Sequence, residues 1–160
     1  MSVTALVNRN NVKVTKSTRP SFMKTDAIKW TPWVIEGTHF KLLAVDVRSG
    51  GFTLMLKIEP GNDAPTHFHI GAAEGIILEG GFGYDDDRGG PGDYICEHAG
   101  VAHKPDSPKG CIMFGIMHGP LVGYNADGTI AAVVDAKTMY QLAKAAGQAA
   151  HIRADFEDIS

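Results

Sequence analysis

The chain has 160 residues, of which 44% are hydrophobic and 21% are charged, and its formal net charge is −3. This length and balance are those of one globular domain with a single core, so we treat residues 1–160 as one domain. Lysine and arginine are spread along the chain, which excludes the basic surface that nucleic acid or an acidic membrane would require.

The N-terminal segment, residues 1–37, is polar, has no clear period and carries Trp30 and Trp33 as its large apolar anchors. We expect an arm that crosses the domain or a partner subunit. The segment lacks the continuous apolar stretch of a signal peptide, and no window approaches the roughly 18 apolar residues of a transmembrane helix. We therefore expect a cytoplasmic protein without a membrane partner.

Residues 38–134 read as a series of short strands. The stretch from Thr38 to Ile58 contains two β-rich runs joined by Ser49-Gly50-Gly51, which predicts a hairpin. The stretch DDDR at Asp85–Arg88 predicts a solvated turn. Many short strands at even spacing indicate a β-sandwich or a small antiparallel barrel. Further strands are predicted at Thr66–Ile70, Glu74–Glu79, Asp93–Glu97 and Gly110–His118.

The hydrophobic period changes from two to about 3.6 after Val134. Asp135 is a suitable N-cap and Gly147 a suitable C-terminal stop, so residues 135–147 are predicted to form a helix on the outside of the barrel. The predicted fold is all-β, with an N-terminal arm and one C-terminal helix. Cys96 and Cys111 form no CxxC pair, so they predict buried thiols rather than a disulfide framework or a zinc site.

The histidines at positions 67 and 69 are the first candidates for a functional site. Residues two apart on a strand point to the same side, so His67 and His69 can bind one ion. Two imidazoles in a dry core would each need a polar partner and would weaken the packing. Such a conflict is usually tolerated only at functional sites. An isolated pair of this kind can also be partly solvated and idle, so other residues must decide.

Two spaced patterns contain these histidines. They are Gly61-x5-His67-x-His69-x4-Glu74-x6-Gly81 and Gly92-x5-His98-x-Gly100-x2-His103. Together they resemble the two sequence motifs of the cupin superfamily. The chain departs from those motifs at His98, where proline is usual, and at Ser107, where asparagine is usual. Neither position is a metal ligand in the family.

The resemblance implies a double-stranded β-helix, or jelly roll, in which His67, His69 and His103 bind one metal ion. Three imidazoles accept Fe(II), Zn(II), Cu(II), Ni(II) or Mn(II), and the ligand set alone does not select among them. In many cupins the glutamate at the position of Glu74 is a fourth ligand. Glu74 is therefore either a ligand or a group beside the ligands.

A closer resemblance covers most of the region from Trp30 to Val134. The stretches "HFHIGAAEGIILEG", "YICEHAGVAHKP" and "FGIMHGPLVGYNADGTIA" are similar to the acetylacetone (β-diketone) cleaving dioxygenases and the dihydroxyacetophenone dioxygenases. In that group three histidines alone hold iron, which favours Glu74 as a neighbour of the ligands. The group also places a glutamate near the iron at the position of Glu97. An inward Glu97 can hold a water or the substrate enol, whereas an outward one is a rim charge.

The resemblance implies an Fe(II) dioxygenase that uses O2 to cleave a β-diketone or a related aryl ketone, giving a carboxylic acid and an α-dicarbonyl compound. Glu97 and Glu74 are the candidate catalytic residues, and a homodimer or homotetramer is expected. Two alternatives stay open: a non-redox isomerase or hydrolase with Zn(II) or Mn(II), and a metal-binding sensor like the zinc cupins attached to anti-sigma domains. Whether His98 or His118 lines the pocket is also open.

Overall fold

The computed structural model describes residues 22–154. Among these residues, strands form three antiparallel sheets and one α-helix follows the last strand, which confirms the predicted fold class. In chain order the strands are β1 (Thr31–Pro32), β2 (Thr38–Asp46), β3 (Gly51–Ile58), β4 (Asn62–Asp63), β5 (His67–His69), β6 (Ala73–Gly80), β7 (Phe82–Tyr84), β8 (Asp87–Gly89), β9 (Tyr94–Glu97), β10 (Ala102–His103), β11 (Asp106–Ser107), β12 (Cys111–Met117), β13 (Leu121–Tyr124) and β14 (Ile130–Val134).

The largest sheet has six strands in the order β1-β2-β3-β12-β6-β9. Side chains alternate between its two faces, so that Leu54 and Met113 point into the core while Phe114 lies on the outer face. The predicted hairpin is confirmed as β2 and β3. Gly50 closes its turn with φ of +74°, a conformation in which a larger residue would be strained, and Pro120 packs against this glycine.

Two four-stranded sheets complete the barrel, in the orders β10-β5-β13-β14 and β4-β11-β7-β8. The first lays β10 beside β5, so that His103 is the direct cross-strand partner of His67. The second contains the β7–β8 hairpin, which the sequence did not predict. The turn predicted at Asp85–Arg88 is narrower than expected, because β8 begins at Asp87 and Arg88 forms an ion pair with Asp106.

The predicted C-terminal helix is present as α1 (Ala136–Ala145), and the side chain of Asp135 accepts a hydrogen bond from the Thr138 amide at 2.8 Å. Met139 is fully buried against the core. Trp33 of the arm also packs there, and its Nε1 donates to the Met139 Sδ atom at 3.0 Å. Where the structure describes it, the arm therefore crosses its own domain; its first 21 residues lie outside the described part.

A short 3₁₀ helix, Thr25–Ala27, begins the described chain. It lies beside the outer face of β2, where the carbonyl of Thr25 accepts a hydrogen bond from Lys41 Nζ at 2.9 Å. The ammonium of Lys41 also lies 4.8 Å from the centre of the Trp30 ring. Within residues 22–154, no helix has the length and hydropathy that crossing a bilayer requires.

Candidate metal centre

His67, His69 and His103 converge at one point inside the barrel. His67 and His69 project from the same side of β5, and antiparallel pairing with β10 places His103 next to His67. The three ring centroids are 4.6 to 5.0 Å apart. One ligating nitrogen from each ring lies within 4.8 Å of the other two, so the cluster can hold a metal ion.

The polar atoms of these rings fit a metal better than a hydrogen-bonded core. His69 is 2% exposed, and neither of its ring nitrogens has a hydrogen-bond partner within the described residues. Nε2 of His103 lies 3.1 Å from Nε2 of His67, while Nδ1 of His67 lies 3.0 Å from the carbonyl oxygen of Pro65. That carbonyl fixes the proton of His67 on Nδ1 and leaves Nε2 unprotonated, as metal binding requires.

The electrostatics keep the three imidazoles neutral. Burial, together with the neighbouring imidazoles, lowers the pKa of His69 to about 3. The same two causes lower the pKa of His103 to about 4, and burial lowers the pKa of His67. Because metal binding requires the unprotonated ring, the histidines are ready to bind a cation at neutral pH.

Glu97 brings a carboxylate to this cluster from the end of β9. Its Oε2 atom lies 3.2 Å from Nε2 of His69, and its Oε1 atom lies 3.7 Å from Nε2 of His103. The hydroxyl of Tyr84 donates a hydrogen bond to Oε1. Burial raises the pKa of Glu97, and the Tyr84 hydrogen bond opposes that rise. Glu97 therefore points inward, toward the histidines.

Glu74 lies on β6 and lines a cavity beside the histidines, but its carboxylate has its hydrogen-bond partners on the outer face of the sheet. It accepts a hydrogen bond from the hydroxyl of Tyr94 and is bonded to Nε2 of His118. These two hydrogen bonds lower the pKa of Glu74. The side chains of Glu74 and His118 are 38% and 48% exposed, in contrast to 10% for Glu97.

A cavity of about 220 Å³ opens beside His67 and His69. We call it the first cavity. No lysine or arginine is among the described residues that line it. Its wall is mainly apolar and includes Leu56, Phe82, Ile95, Met113, Met117 and Leu121.

A second cavity of about 590 Å³ lies on the side of His103 and Tyr84. Phe82, Ile95 and Glu97 line both cavities, so these residues form the partition between them. His98 lines the second cavity, whereas His118 is absent from the described lining of both. The histidine cluster is thus reached from two directions.

The family comparison agrees with this fold and this arrangement of histidines. The ChrR cupin-like domain family matches the chain over residues 18–122, which include the three histidines and Glu97. The chain belongs to the ChrR cupin-like domain family. No curated protein matches this cupin-like domain.

Solved structures with the same fold are similar to this cupin-like domain at low sequence identity. An RmlC-like cupin from Ralstonia eutropha JMP134 has a TM-score of 0.78 and 23% identity, over 89% of this chain and 96% of the other. The acetylacetone dioxygenase from Acinetobacter johnsonii has a TM-score of 0.71 and 17% identity, over 84% and 96%. The anti-sigma ChrR, in its complex with SigE from Rhodobacter sphaeroides, has a TM-score of 0.50 and 23% identity, over 59% and 51%.

Tyr84 is the residue at the centre of this cupin-like domain that sequence reasoning missed. Its ring lies 5.3 Å from that of His103, and it packs edge-on against Phe82 at 5.9 Å. The available signal was weak: Phe82 and Tyr84 are two residues apart, so a strand would place both on one face. The glycines and aspartates around them predicted a turn instead.

Proposed function

We propose that this protein is a mononuclear non-heme Fe(II) dioxygenase that cleaves a carbon–carbon bond of a β-diketone or a related aryl ketone with O2. The observation that carries the proposal is the position of His67 and His69. Their rings line an apolar cavity of about 220 Å³ whose described lining has no cationic side chain. Such a cavity favours a small, uncharged organic molecule over a sugar phosphate or an anion that needs lysine or arginine.

The charge of the site supports an enolate as the bound form of the substrate. Three neutral imidazoles leave the full charge of a divalent ion in place, which stabilises a negatively charged, two-oxygen chelate. Ferrous iron, when bound, would supply a Lewis-acidic centre with open positions for the diketone and O2. We assign His67, His69 and His103 as the residues that hold it.

Glu97 is the proton acceptor in this proposal. Its carboxylate lies beside the ligating nitrogen of His69, within reach of a substrate carbon in the first cavity. Accepting the proton from the carbon between the two carbonyls would leave the enolate, and a raised pKa makes Glu97 a stronger base. Tyr84 holds Oε1 of Glu97, which leaves Oε2 directed at the site.

Glu74 has an indirect role in the proposed mechanism. Its carboxylate is engaged by Tyr94 and His118, so we assign it to fixing β6 against β9 rather than to proton transfer. The two cavities suit a reaction with two substrates, since the ketone and O2 can approach the cluster from different sides. The structural likeness to an acetylacetone dioxygenase concerns the fold alone. The proposed chemistry is argued from the residues of the site.

A metal-binding sensor is the second candidate, favoured by the match to the ChrR cupin-like domain family. A sensor of this kind holds its metal permanently and needs no O2. The two candidates differ in turnover, because both require the three histidines but only the enzyme consumes oxygen when a diketone is added.

The test is to purify the protein, quantify its bound metals, reconstitute it anaerobically with Fe(II) and follow oxygen uptake with acetylacetone and with a hydroxylated acetophenone. We expect iron-dependent uptake that is lost in His103→Ala. His39→Gln is the matched control, since His39 is a half-buried residue of β2 that lies near Glu59, away from the cluster. Stoichiometric metal without oxygen uptake for either ketone would exclude the dioxygenase and favour the sensor.

A further inference from the structure

The outer face of the six-stranded sheet carries an apolar patch between β3 and β9, whose polar neighbours at one end are Thr53 and Glu74, the cross-strand partners of Ile116. An antiparallel sheet with one solvated face normally alternates apolar and polar residues. Here cross-strand pairing forms a continuous row of Met55, Phe114, Ile76 and Tyr94. Ile76 is 43% exposed and Tyr94 is 60% exposed. Ile112 and Ile116 flank Phe114 on the same strand, and we call these six residues the outer apolar face.

Charges of opposite sign lie on either side of this face. Ile112 on the central strand β12 pairs with Lys57 of β3 on one side and with Glu79 of β6 on the other. Lys57 is half-buried and Glu79 is exposed. The cross-strand row Lys57–Ile112–Glu79 therefore runs from a cation through an apolar residue to an anion.

This arrangement is complementary to itself under a two-fold axis that runs parallel to β12, midway between two facing sheets. Such an axis exchanges the β3 side with the β6 side. It places Lys57 of one copy over Glu79 of the other, and Met55 over Ile76, while Phe114 meets its own equivalent. An isologous interface requires a self-complementary patch of this kind, and aligned strands are a common way for two sheets to pack.

The relief of the surface on either side of the outer apolar face is compatible with the same two-fold axis. On one side of the outer apolar face, the 3₁₀ helix and Trp30 cover the outer side of β2 and form a ridge. On the opposite side, β9 is the edge strand of the sheet among the described residues and exposes Tyr94. The two-fold axis brings the ridge of each copy to β9 of the other, so the faces can approach without collision of the two ridges.

We propose that the outer apolar face is the interface between two copies of this chain, with Lys57 of each copy paired to Glu79 of the other. Burial of the six apolar side chains drives the association, and the two charge pairs fix its orientation. The proposal does not depend on the metal or on the reaction proposed above. The histidine cluster lies inside the barrel, on β5 and β10 of another sheet.

A charge-exchange experiment tests the orientation. The oligomeric state of the full chain is measured by sedimentation velocity over a concentration series. Lys57→Glu and Glu79→Lys each place like charges opposite one another, so we expect each to raise the dimer Kd about tenfold or more. The double variant Lys57→Glu with Glu79→Lys restores opposite charges and should return the Kd toward that of the unmodified chain. Lys137→Glu, on the exposed side of α1, is the matched control and should leave the Kd unchanged.

Circular dichroism of each variant establishes that the fold is intact. An assembly larger than a dimer that loses one interface in Lys57→Glu also supports the proposal. The proposal would be overturned if the unmodified chain were monomeric at every concentration. It would also be overturned if neither single substitution weakened the dimer, or if the double variant did not restore it. Ile76→Ser gives an independent measurement, since it removes apolar area without changing charge and should also weaken the dimer.

Discussion

Oε2 of Glu97 lies 3.2 Å from Nε2 of His69. Two atoms that each lie about 2.0–2.2 Å from a shared ion are separated by about 3 Å when they are adjacent ligands. The carboxylate therefore sits where it can either bind the ion with the histidines or hold a molecule bound there. The buried position of both groups makes this contact sensitive to small changes at Glu97.

Glu97→Gln separates these two roles. The amide keeps the shape and the hydrogen bonding of the side chain but is not basic. If Glu97 is the proton acceptor, kcat should fall about 100-fold while iron stays stoichiometric. Stopped turnover together with lost iron would show that Glu97 is a ligand instead. Steady-state oxygen uptake and iron quantification on the same preparation give both values.

Glu74→Gln is the matched control for that substitution. Its carboxylate is bonded to Tyr94 and His118 on the outer side of the sheet. We expect kcat within about threefold of the unmodified protein, which is small beside the effect of removing a general base. A loss of iron in Glu74→Gln would contradict this assignment and return Glu74 to the ligand set.

Tyr84→Phe tests the positioning of Glu97. The Tyr84 hydrogen bond holds the pKa of Glu97 down against the effect of burial, so its removal should raise that pKa. The acidic limb of the pH–rate profile, which reports ionisation of the base, should move to higher pH, and kcat should fall about tenfold. Tyr94→Phe removes the corresponding hydrogen bond from Glu74 and should leave the acidic limb in place. An unmoved profile in Tyr84→Phe would refute the positioning role.

Acid should destabilise the metal-free protein through its histidines. The folded pKa of His69 is about 3 and that of His103 about 4, both below the unfolded value of about 6.5. The unfolded chain therefore binds more protons below about pH 6.5, and the free energy of unfolding falls as the pH falls toward those folded values. Each histidine contributes up to about 1.4 kcal/mol per pH unit.

The measurement is urea unfolding in the presence of a chelator between pH 5 and 7. His69→Leu should reduce the slope of the free energy of unfolding against pH, whatever its effect on the stability at pH 7. Glu97 acts in the opposite direction, because its raised folded pKa makes the folded state bind the extra proton. If His69→Leu left the slope unchanged, His69 would not take up a proton when the chain unfolds.

Leu121→Ala tests whether the first cavity sets substrate size. Leu121 is 7% exposed and lines that cavity. Truncation should lower stability by about 2–5 kcal/mol and should lower the KM for an aryl diketone relative to that for acetylacetone. Ile130 is 63% exposed and absent from the described lining of the cavity, so Ile130→Ala should leave this KM ratio unchanged. Equal KM ratios in the two variants would place the substrate elsewhere.

The barrel, its hairpin and the shared side of His67 and His69 followed from local patterns. Alternation predicted β2, β3, β6 and β12, because one buried face imposes a period of two. The resemblance to the cupin motifs implied a common site for His67, His69 and His103, and the cross-strand pairing of β5 with β10 is the physical reason that the three rings meet. The sequence did not predict the short strands, since two to four residues carry too little period to be distinguished from loops; they are β1, β4, β7, β8, β10, β11 and β13.

The sequence by itself determined which side chains share one side of a strand, because that depends only on backbone geometry. It could not determine which side faces the core. Glu74 and Glu97 look alike in the sequence, each at a strand end near a histidine motif. In the structure Glu97 pairs with the inward Ala73, whereas Glu74 pairs with Cys96 and Ile116 on the outer side. The register between strands, set by burial of the whole sheet, made one carboxylate part of the site and left the other on the surface.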